Sequence, residues 1–220
     1  MTEHAALLDR IYRRQRYIYD VTRKYYLFGR DRLIHDLALK SGGRVVEVGC
    51  GTSRNLIKIA ETYPGVVLFG LDASAEMLET SAAAIRRAGL ADRIRLVRAY
   101  AEDLTPALFG DGAPFDSVIF SYSLSMIPDW RRALAAARAA LAPTGRIHVV
   151  DFGDLRGLGM AGEGLLRRWL ALFHVAPRDE LLTAIERDSG PDAVKHLAGR
   201  YAFLWSAGRD DPFWRSPHGG

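Results

Sequence analysis

Residues 45–53, with the sequence VVEVGCGTS, constrain the fold more than any other stretch of the chain. Residues 45–48 are rich in valine, which predicts a short buried strand. Two glycines follow within three positions, and glycine lets the backbone turn sharply and approach a ligand closely. A strand that enters such a loop predicts an open α/β sheet with a ligand site at the carboxyl ends of its strands.

Strands and helices alternate along the following part of the chain. Further strands are predicted at 66–71, 94–98, 115–120 and 146–150, helices at 55–62, 75–88 and 130–141, and a Pro-Thr-Gly turn at 143–145. This spacing is typical of βαβ units with right-handed crossovers. It predicts an α/β fold with a doubly wound, mostly parallel sheet.

Two segments flank this predicted core. Apolar residues at helical spacing predict a helical arm over residues 1–40, and a stripe that includes Leu165 and Leu166 predicts a helical insertion at about 154–200, before a last strand at 201–207. We therefore expect an arm or lid at 1–40, one main domain at 41–210 and a loosely packed tail at 211–220.

Composition excludes several classes of protein. The chain has 220 residues, enough for one domain with a full core, and its single cysteine, Cys50, excludes an internal disulfide and a cysteine metal cluster. No metal is therefore expected. No apolar run approaches the ~20 residues of a membrane span, and the polar N-terminus lacks the apolar centre of a signal peptide. We expect a cytoplasmic protein.

The formal net charge of +4 is concentrated at one end of the chain. Residues 1–32 contain eight arginine or lysine and four acidic side chains, so this segment carries the whole excess. Such a pattern indicates either a solvated basic helix or a surface that faces anions, such as phospholipid headgroups or nucleic acid.

Two ligand classes use a glycine loop after a parallel strand. Dinucleotides require G-x-G-x-x-G, but Arg54 occupies the third glycine position here, which makes that interpretation weak. The loop instead resembles motif I of class I S-adenosylmethionine-dependent methyltransferases, E/D-x-G-x-G-x-G, with Ser53 at the last glycine. The resemblance implies a Rossmann-like methyltransferase domain that binds S-adenosylmethionine and leaves S-adenosylhomocysteine as product.

The resemblance also implies roles for individual side chains. Glu47 is expected at the methionine amino group, and Asp72, at the end of the second strand, at both ribose hydroxyls. Met77 would cover the adenine, Glu102 would take its amino group, and Ser121 would contact the methionine backbone. The full predicted cofactor site is Glu47, Gly49, Cys50, Gly51, Ser53, Asp72, Ala73, Met77, Ala101, Glu102 and Ser121.

A narrower resemblance concerns the acceptor. Residues 19–31 (YDVTRKYYLFGRD), followed by 46–56, are similar to the diacylglycerylhomoserine N-methyltransferases of bacterial betaine-lipid synthesis, and segments 173–178 and 200–202 are similar as well. The resemblance implies three successive N-methylations of the homoserine amine, giving diacylglyceryl-trimethylhomoserine. The motifs within the sheet are generic to the superfamily, so the substrate rests on the arm and on 173–178.

Candidate acceptor residues follow from this chemistry. Tyr25, Tyr26 and Asp151 are predicted as catalytic, because aromatic faces hold a quaternary ammonium and a carboxylate holds the amine before methylation. Arg23 and Arg30 would pair with the acceptor carboxylate. The predicted substrate-binding residues are Tyr19, Arg23, Arg30, Tyr122, His148 and Tyr201. Alternatively, the rings pack the arm onto the sheet, and His148 is more often a core residue of its strand.

The first predicted partner is a lipid whose headgroup bears an amine and a carboxylate. The second is the anionic inner face of the membrane, which the protein is expected to contact reversibly. No nucleic acid is expected, since the chain has no recognisable RNA-binding module. The oligomeric state is not predicted. Three alternatives stay open: a phosphatidylethanolamine N-methyltransferase, a small-molecule or RNA methyltransferase, and a protein that senses S-adenosylmethionine without turnover.

Overall fold

The structure is a computed structural model that describes residues 27–158, 163–166, 168 and 178–215. The predictions for Tyr19, Arg23, Tyr25 and Tyr26 lie outside the described residues. No helix in the described part of the chain combines the length and the apolar character needed to cross a bilayer.

The described residues form one seven-stranded sheet. Its strands are β1 (Arg44–Val48), β2 (Val67–Asp72), β3 (Ile94–Arg98), β4 (Phe115–Ser121), β5 (Leu141–Phe152), β6 (Val194–Leu197) and β7 (Ala202–Gly208). They lie in the order β3-β2-β1-β4-β5-β7-β6. Strands β1 to β5 pair in parallel, whereas β7 is antiparallel to both β5 and β6. The strand order reverses between β1 and β4, which confirms the predicted doubly wound, mostly parallel sheet.

Helices cover both faces of the sheet. They are α1 (Arg30–Asp36), α2 (Arg54–Thr62), α3 (Ala75–Arg87), α4 (Trp130–Ala140) and α5 (Asp179–Ser189). Apolar residues of α1, α2 and α3 form one core cluster with β1, and those of α4 and α5 form another with β7. Because side chains fill both faces, the carboxyl ends of the parallel strands are the edge where a ligand reaches the backbone.

The parallel strands lie where the sequence predicts them, with one difference. Strand β5 begins at Leu141 and not at Arg146, so it includes the predicted turn. Its pairing with β4 is irregular between Phe115 and Ser117. Gly145 lies so close to β4 that a Cβ atom would be 2.7 Å from the Phe115 carbonyl oxygen, so a glycine is needed where the strand bends.

The C-terminal part differs more from expectation. The segment predicted as a helical insertion contains α5, but it also contributes the edge strand β6, which the sequence analysis misses. The prediction of a loosely packed tail is wrong for Pro212–Arg215, because Phe213 and Trp214 are buried. The Phe213 ring centroid lies 4.8 Å from that of Trp205 on β7. Polar neighbours in the sequence suggest an exposed tail, but burial of the two large aromatic side chains holds this segment against the domain.

Candidate active site

Two adjoining cavities open at the carboxyl ends of β1, β2 and β4. The first, of about 380 Å³, lies over the ends of β2 and β3 and is lined by Asp72 and Glu102. The second, of about 390 Å³, lies beside the starts of α1 and α2 and is lined by Glu47. Gly49, Gly51 and Ser121 line both cavities, so the glycine loop is their common wall.

The two glycines of the loop are needed for its shape. Gly49 and Gly51 have φ angles of +72° and +53°, a left-handed conformation that favours glycine. A Cβ on Gly49 would lie 2.6 Å from the Ser123 Cβ. The amides of Gly49 and Cys50 both donate to the Leu71 carbonyl, at 2.8 and 3.0 Å, and this fixes the loop against β2. Burial raises the pKa of the Cys50 thiol, so this wall of the second cavity carries no thiolate.

Backbone amides set the orientation of Asp72, the last residue of β2. The Gly51 amide donates to Oδ2 at 2.8 Å, and the Ser74 amide donates to Oδ1 at 2.9 Å. The carboxylate therefore lies at the wall of the first cavity in a fixed position. A carboxylate held in this way is suited to a pair of neighbouring hydroxyls, as on a ribose.

Further residues predicted for the cofactor line the first cavity, namely Ala73, Met77, Ala101, Glu102 and Ser121. Met77 is almost fully buried and gives the cavity an apolar wall, which suits a flat base. Seven residues of the lining were not predicted, namely Leu71, Ala99, Tyr100, Ser123, Met126, Ile127 and Pro128. Tyr100 directly precedes the predicted Ala101, so the strand end signals it, whereas 126–128 carry no motif.

Glu47 is the most unusual group of the second cavity. Its side chain is buried, and the Asn55 amide donates to Oε1 at 2.6 Å. Oε2 is buried and has no hydrogen-bond partner among the described residues. Burial raises the pKa of Glu47 to about 7, against the lowering effects of Asn55 and Arg30. A buried carboxylate oxygen without a donor is costly for the protein alone, and it suits the cationic amino group of a ligand.

Ser121 supplies a second polar atom of this kind. Its Oγ is buried without a hydrogen-bond partner among the described residues, and the residue lines both cavities. Glu47 and Ser121 thus offer unused polar atoms where an amino-acid group would lie, and Asp72 lies where a ribose would lie. The residues present fit S-adenosylmethionine in this order along the two cavities.

Ser53 does not lie where the sequence analysis places it. The residue is fully buried, lines neither cavity, and its hydroxyl pairs with the Ser81 hydroxyl of α3. Its φ angle of +60° before α2 directs the side chain into the interface between α2 and α3. The expected contact of Ser53 with the cofactor is therefore corrected to a helix-packing role.

Asp151 also requires a correction. The residue is fully buried and lines neither cavity. The Ser125 amide donates to Oδ2 at 3.0 Å, and the Phe152 amide donates to Oδ1 at 2.8 Å. Burial raises its pKa to about 6. Oδ2 thus holds the turn after β4, Oδ1 caps the adjacent amide of β5, and Asp151 is not placed to receive an acceptor ammonium.

His148 lies away from the glycine loop. Its Nδ1 is 3.4 Å from the Ser206 Oγ of the paired strand β7. Burial lowers the pKa of His148 to about 4, so the ring is neutral at pH 7. It lines a different cavity with Leu37 and Arg146, which corrects its predicted role at the acceptor.

Tyr122 and Tyr201 belong to a chain of aromatic rings. Edge-to-face contacts join Tyr122 to Phe152, Phe152 to Tyr201, and Tyr201 to Phe28, with ring centroids 4.7, 5.9 and 5.3 Å apart. Tyr122 also lines the first cavity. Tyr201 is 5% exposed and lines neither cavity, so its predicted place in an ammonium cage is corrected to packing.

Arg30, predicted to bind the acceptor, lines the second cavity. It is the first residue of α1 and shares this lining with Glu47. Arg54 and Arg87, which were not predicted, belong to the same lining, and the Arg54 guanidinium donates to Asp31 at 3.1 Å. Three guanidinium groups make this cavity basic.

The described residues include no group of three or more histidine, cysteine or acidic side chains placed to hold a metal.

Comparison with known proteins agrees with this geometry. Residues 46–147 match the model of a family described as a methyltransferase domain. The chain is 28% identical over 233 aligned positions to the ubiquinone/menaquinone biosynthesis C-methyltransferase UbiE of Syntrophotalea carbinolica, with 94% of each chain covered. It is 31% identical over 139 positions to the demethylmenaquinone methyltransferase of Thermus thermophilus, with 61% of this chain and 60% of that protein covered.

Coverage of the relatives is uneven. A similar match to the UbiE protein of Geotalea daltonii, at 29% identity, covers 63% of this chain and 60% of that protein. The chain thus spans less than two thirds of two of these relatives and nearly all of the third.

Solved structures share the fold. The S-adenosylmethionine-dependent methyltransferase SibL superimposes with a TM-score of 0.63 at 21% identity, over 87% of this chain and 57% of that chain. A SAM-dependent methyltransferase from Aquifex aeolicus gives a TM-score of 0.59 at 14% identity, over 84% of this chain and 92% of that chain.

Proposed function

We propose that this chain, whose residues 46–147 match a methyltransferase domain, is a class I S-adenosylmethionine-dependent methyltransferase that methylates the amine of a lipid. The acceptor is the homoserine amine of diacylglycerylhomoserine, and three successive methylations give the betaine lipid diacylglyceryl-trimethylhomoserine. The observation that carries this choice is the position of Arg30, whose side chain lines the second cavity beside Glu47.

In this proposal, S-adenosylmethionine lies across both cavities. Asp72 would accept from the ribose hydroxyls, Met77 would cover the adenine, and Glu47 would receive the methionine ammonium through Oε2. When bound, S-adenosylmethionine supplies a sulfonium methyl group, which an amine nitrogen accepts as the carbon–sulfur bond breaks. The contribution of the protein is mainly to position the acceptor and to exclude water.

Methylation of this acceptor needs no strong general base. A free α-amino group has a pKa of about 8, so a modest loss of hydration makes much of it neutral near pH 7. Leu71 and Ile127 give the first cavity apolar walls that reduce hydration. The amine loses one proton to water before each of the three methylations, and the trimethylated product has no proton left to lose.

Arg30 supports an acceptor that carries a carboxylate. A guanidinium pairs with a carboxylate through two parallel hydrogen bonds and holds it in a defined orientation. Held by Arg30, the carboxylate of a homoserine headgroup would present its amine toward the glycine loop. Phosphatidylethanolamine lacks this carboxylate but carries a phosphate, with which a guanidinium also pairs, so the assay below decides between the two lipids.

Two exposed apolar side chains support access to a lipid. Phe28 is 49% exposed next to Gly29 and Arg30, and Leu165 is 74% exposed. Arg168, three residues after Leu165, is exposed as well. We propose reversible contact of these side chains with an anionic membrane surface. Replacing both Phe28 and Leu165 with serine should reduce sedimentation with anionic vesicles, and unchanged sedimentation would count against this surface.

The prediction that Tyr25 and Tyr26 hold the methylated ammonium stays a prediction. Replacing both with leucine should lower the rate of the third methylation more than the affinity for S-adenosylmethionine, because only the acceptor gains a permanent positive charge. Equal losses in both measurements would make the two rings structural.

The experiment that tests the proposed function supplies labelled S-adenosylmethionine and one lipid at a time. The purified protein is incubated with vesicles that contain diacylglycerylhomoserine or phosphatidylethanolamine. The lipid products are then separated and identified by mass spectrometry. We expect mono-, di- and trimethylated homoserine lipid. Label in phosphatidylethanolamine alone would overturn the choice of acceptor, and cofactor binding without label in any lipid would favour a sensing protein.

A second candidate is the C-methylation of a quinone-type lipid precursor. The match to the Syntrophotalea carbinolica protein, which covers 94% of both chains, favours it. The same assay with demethylmenaquinone in the vesicles distinguishes the two. Label in demethylmenaquinone and none in the homoserine lipid would replace the first candidate with the second.

A further inference from the structure

The short segment before α1 is held from several sides. Leu27 is buried in the core cluster of α1 to α3. Gly29 has a φ angle of +87°, and a Cβ there would lie 2.5 Å from the Leu197 Cδ1 of the edge strand β6. Between them, the Phe28 carbonyl accepts a hydrogen bond of 2.6 Å from the Tyr122 hydroxyl. Arg30 follows directly, so these contacts determine where its side chain starts.

Tyr122 itself has an unusual backbone. Its φ angle is +55°, a left-handed conformation that is unfavourable for a non-glycine residue. Its amide donates to the Val150 carbonyl at 2.7 Å. The neighbouring Ser123 hydroxyl donates to the Val48 carbonyl at 2.8 Å. Strained residues of this kind persist where their surroundings over-determine them, and they concentrate at functional sites.

The two ends of the Tyr122 contact have different neighbours. At one end, Tyr122 lines the first cavity and directly follows Ser121, which lines both cavities. The Phe28 carbonyl belongs to the segment that delivers Arg30 to the second cavity. One hydrogen bond thus connects the wall of the proposed cofactor site to the start of α1, across 94 positions of the sequence.

We propose that Tyr122 is a positioning residue for the acceptor. Its hydroxyl holds the Phe28 carbonyl and thereby fixes Arg30 at the second cavity beside Glu47. This inference rests on the proposed function, in which Arg30 pairs with the acceptor carboxylate. Without the hydroxyl, residues 28–30 lose one of their fixed points, and Arg30 spends less time in the orientation that receives the carboxylate.

The test uses Tyr122→Phe, which keeps the ring contact with Phe152 and removes only the hydroxyl. Loss of one hydrogen bond corresponds to a change of about 3- to 10-fold. We expect the KM for diacylglycerylhomoserine to rise by that factor, with kcat and the calorimetric affinity for S-adenosylmethionine within about twofold.

A matched control lies at the other end of α1. The Tyr63 hydroxyl donates to the Ile34 and His35 carbonyls, at 3.0 and 3.2 Å, so it also fixes α1 but at a distance from Arg30. Tyr63→Phe should leave the acceptor KM unchanged. An equal rise of KM in both variants would make Tyr122 a general stabiliser of α1 and overturn the inference.

A double-mutant cycle tests whether Tyr122 acts through Arg30. Arg30→Ala removes the group that Tyr122 positions, so adding Tyr122→Phe to it should have no further effect on the acceptor KM. The full 3- to 10-fold rise in the Arg30→Ala background would overturn the inference.

Hydrogen exchange gives a readout that does not depend on the acceptor. The Leu33 amide donates to the Gly29 carbonyl at 2.8 Å and reports on the first turn of α1. Faster exchange at residues 29–34 in Tyr122→Phe, and not in Tyr63→Phe, supports the positioning contact even if the wild-type chain does not methylate the homoserine lipid. Faster exchange in Tyr122→Phe, together with no methylation by the wild-type chain, would reject the proposed function alone. Unchanged exchange and unchanged KM in an active enzyme would reject the inference alone.

Discussion

Two buried carboxylates lie in comparable places in the two halves of the sheet. Glu47 is the penultimate residue of β1 and Asp151 that of β5, and burial raises the pKa of the first to about 7 and of the second to about 6. Both oxygens of Asp151 accept from backbone amides. Glu47 accepts from Asn55 through one oxygen, while Oε2 has no hydrogen-bond partner among the described residues.

The surroundings explain this difference. The β1–β2 half stays open because Gly49 and Gly51 place no side chains at the strand end. In the β5–β7 half, Asp151 lines neither cavity, and the Ser125 and Phe152 amides donate to its two oxygens. A buried acid is thus structural where backbone amides satisfy it and poised for a ligand where an oxygen remains unpaired beside a cavity.

The largest expected effect is a loss of cofactor affinity when Asp72, another acid of the open half, is replaced. Asp72→Ala removes the proposed acceptor of two ribose hydroxyls, each worth about 1.5–3 kcal/mol as a charge-assisted hydrogen bond. Calorimetry should show an affinity for S-adenosylmethionine at least ~100-fold lower. Asp103→Ala, which removes an exposed acid that lines neither cavity, is the control and should bind normally. Unchanged affinity in Asp72→Ala would reject the cofactor assignment of the open half.

Asp151 should show the opposite profile. Asp151→Ala leaves the Ser125 and Phe152 amides without their acceptors, so the free energy of unfolding should fall by about 3 kcal/mol in urea titrations. Asp151→Asn keeps one acceptor oxygen and should lose less. The folded Asp151→Asn protein should bind S-adenosylmethionine within about twofold of the wild type. A large loss of affinity there would remove the distinction between the two carboxylates.

Glu47→Gln should lose affinity and gain stability. The folded pKa of about 7 lies above the unfolded value of 4.5, so the folded state binds more protons between these pH values. Stability therefore falls as the pH rises through this window, and the cost of the buried charge is fully present above pH 7. Glutamine lacks this cost, so at pH 8 we expect a gain of about 2 kcal/mol. Cofactor affinity should fall about 10-fold, because the methionine ammonium loses its counter-charge.

The same carboxylate predicts how cofactor binding depends on pH. Below pH 7 the free protein holds a proton on Glu47 that a cationic ligand must displace, so the affinity should fall by up to about 10-fold per pH unit. Glu47→Gln should show a flat profile over the same range. A wild-type affinity that does not change between pH 5 and pH 8 would contradict the contact with Oε2.

The open half was largely predictable from the sequence, because its signals are local. Glycines after a valine-rich strand, and acids at the ends of the next strands, are read directly from the order of residues. Parallel pairing then brings those strand ends to one edge, as the register of Glu47 with Gly70 and Ile119 shows. Asp72 and Glu102 line one cavity for this reason.

The other half depends on contacts between distant parts of the chain. Whether Asp151 faces a cavity or an amide is decided by the turn at Ser125, 26 positions earlier. Strand β6 has only four residues, too few for a periodic pattern, and it forms because β7 is there to pair with it. The burial of Phe213 depends on Trp205 in the same way. None of these contacts has a local signature.

The smallest effect is expected at Ser53, which lies in the open half but lines neither cavity. Ser53→Gly removes the cost of a left-handed φ angle, about 1 kcal/mol, and leaves the buried Ser81 hydroxyl without its partner at a similar cost. The unfolding free energy should change by less than about 1 kcal/mol, and cofactor affinity by less than about twofold. In a Ser81→Ala background no partner is lost, so Ser53→Gly should stabilise the protein by about 1 kcal/mol. A drop in cofactor affinity of about 10-fold or more in either background would return Ser53 to the cofactor site, because no change in helix packing alone would reach the ligand on that scale.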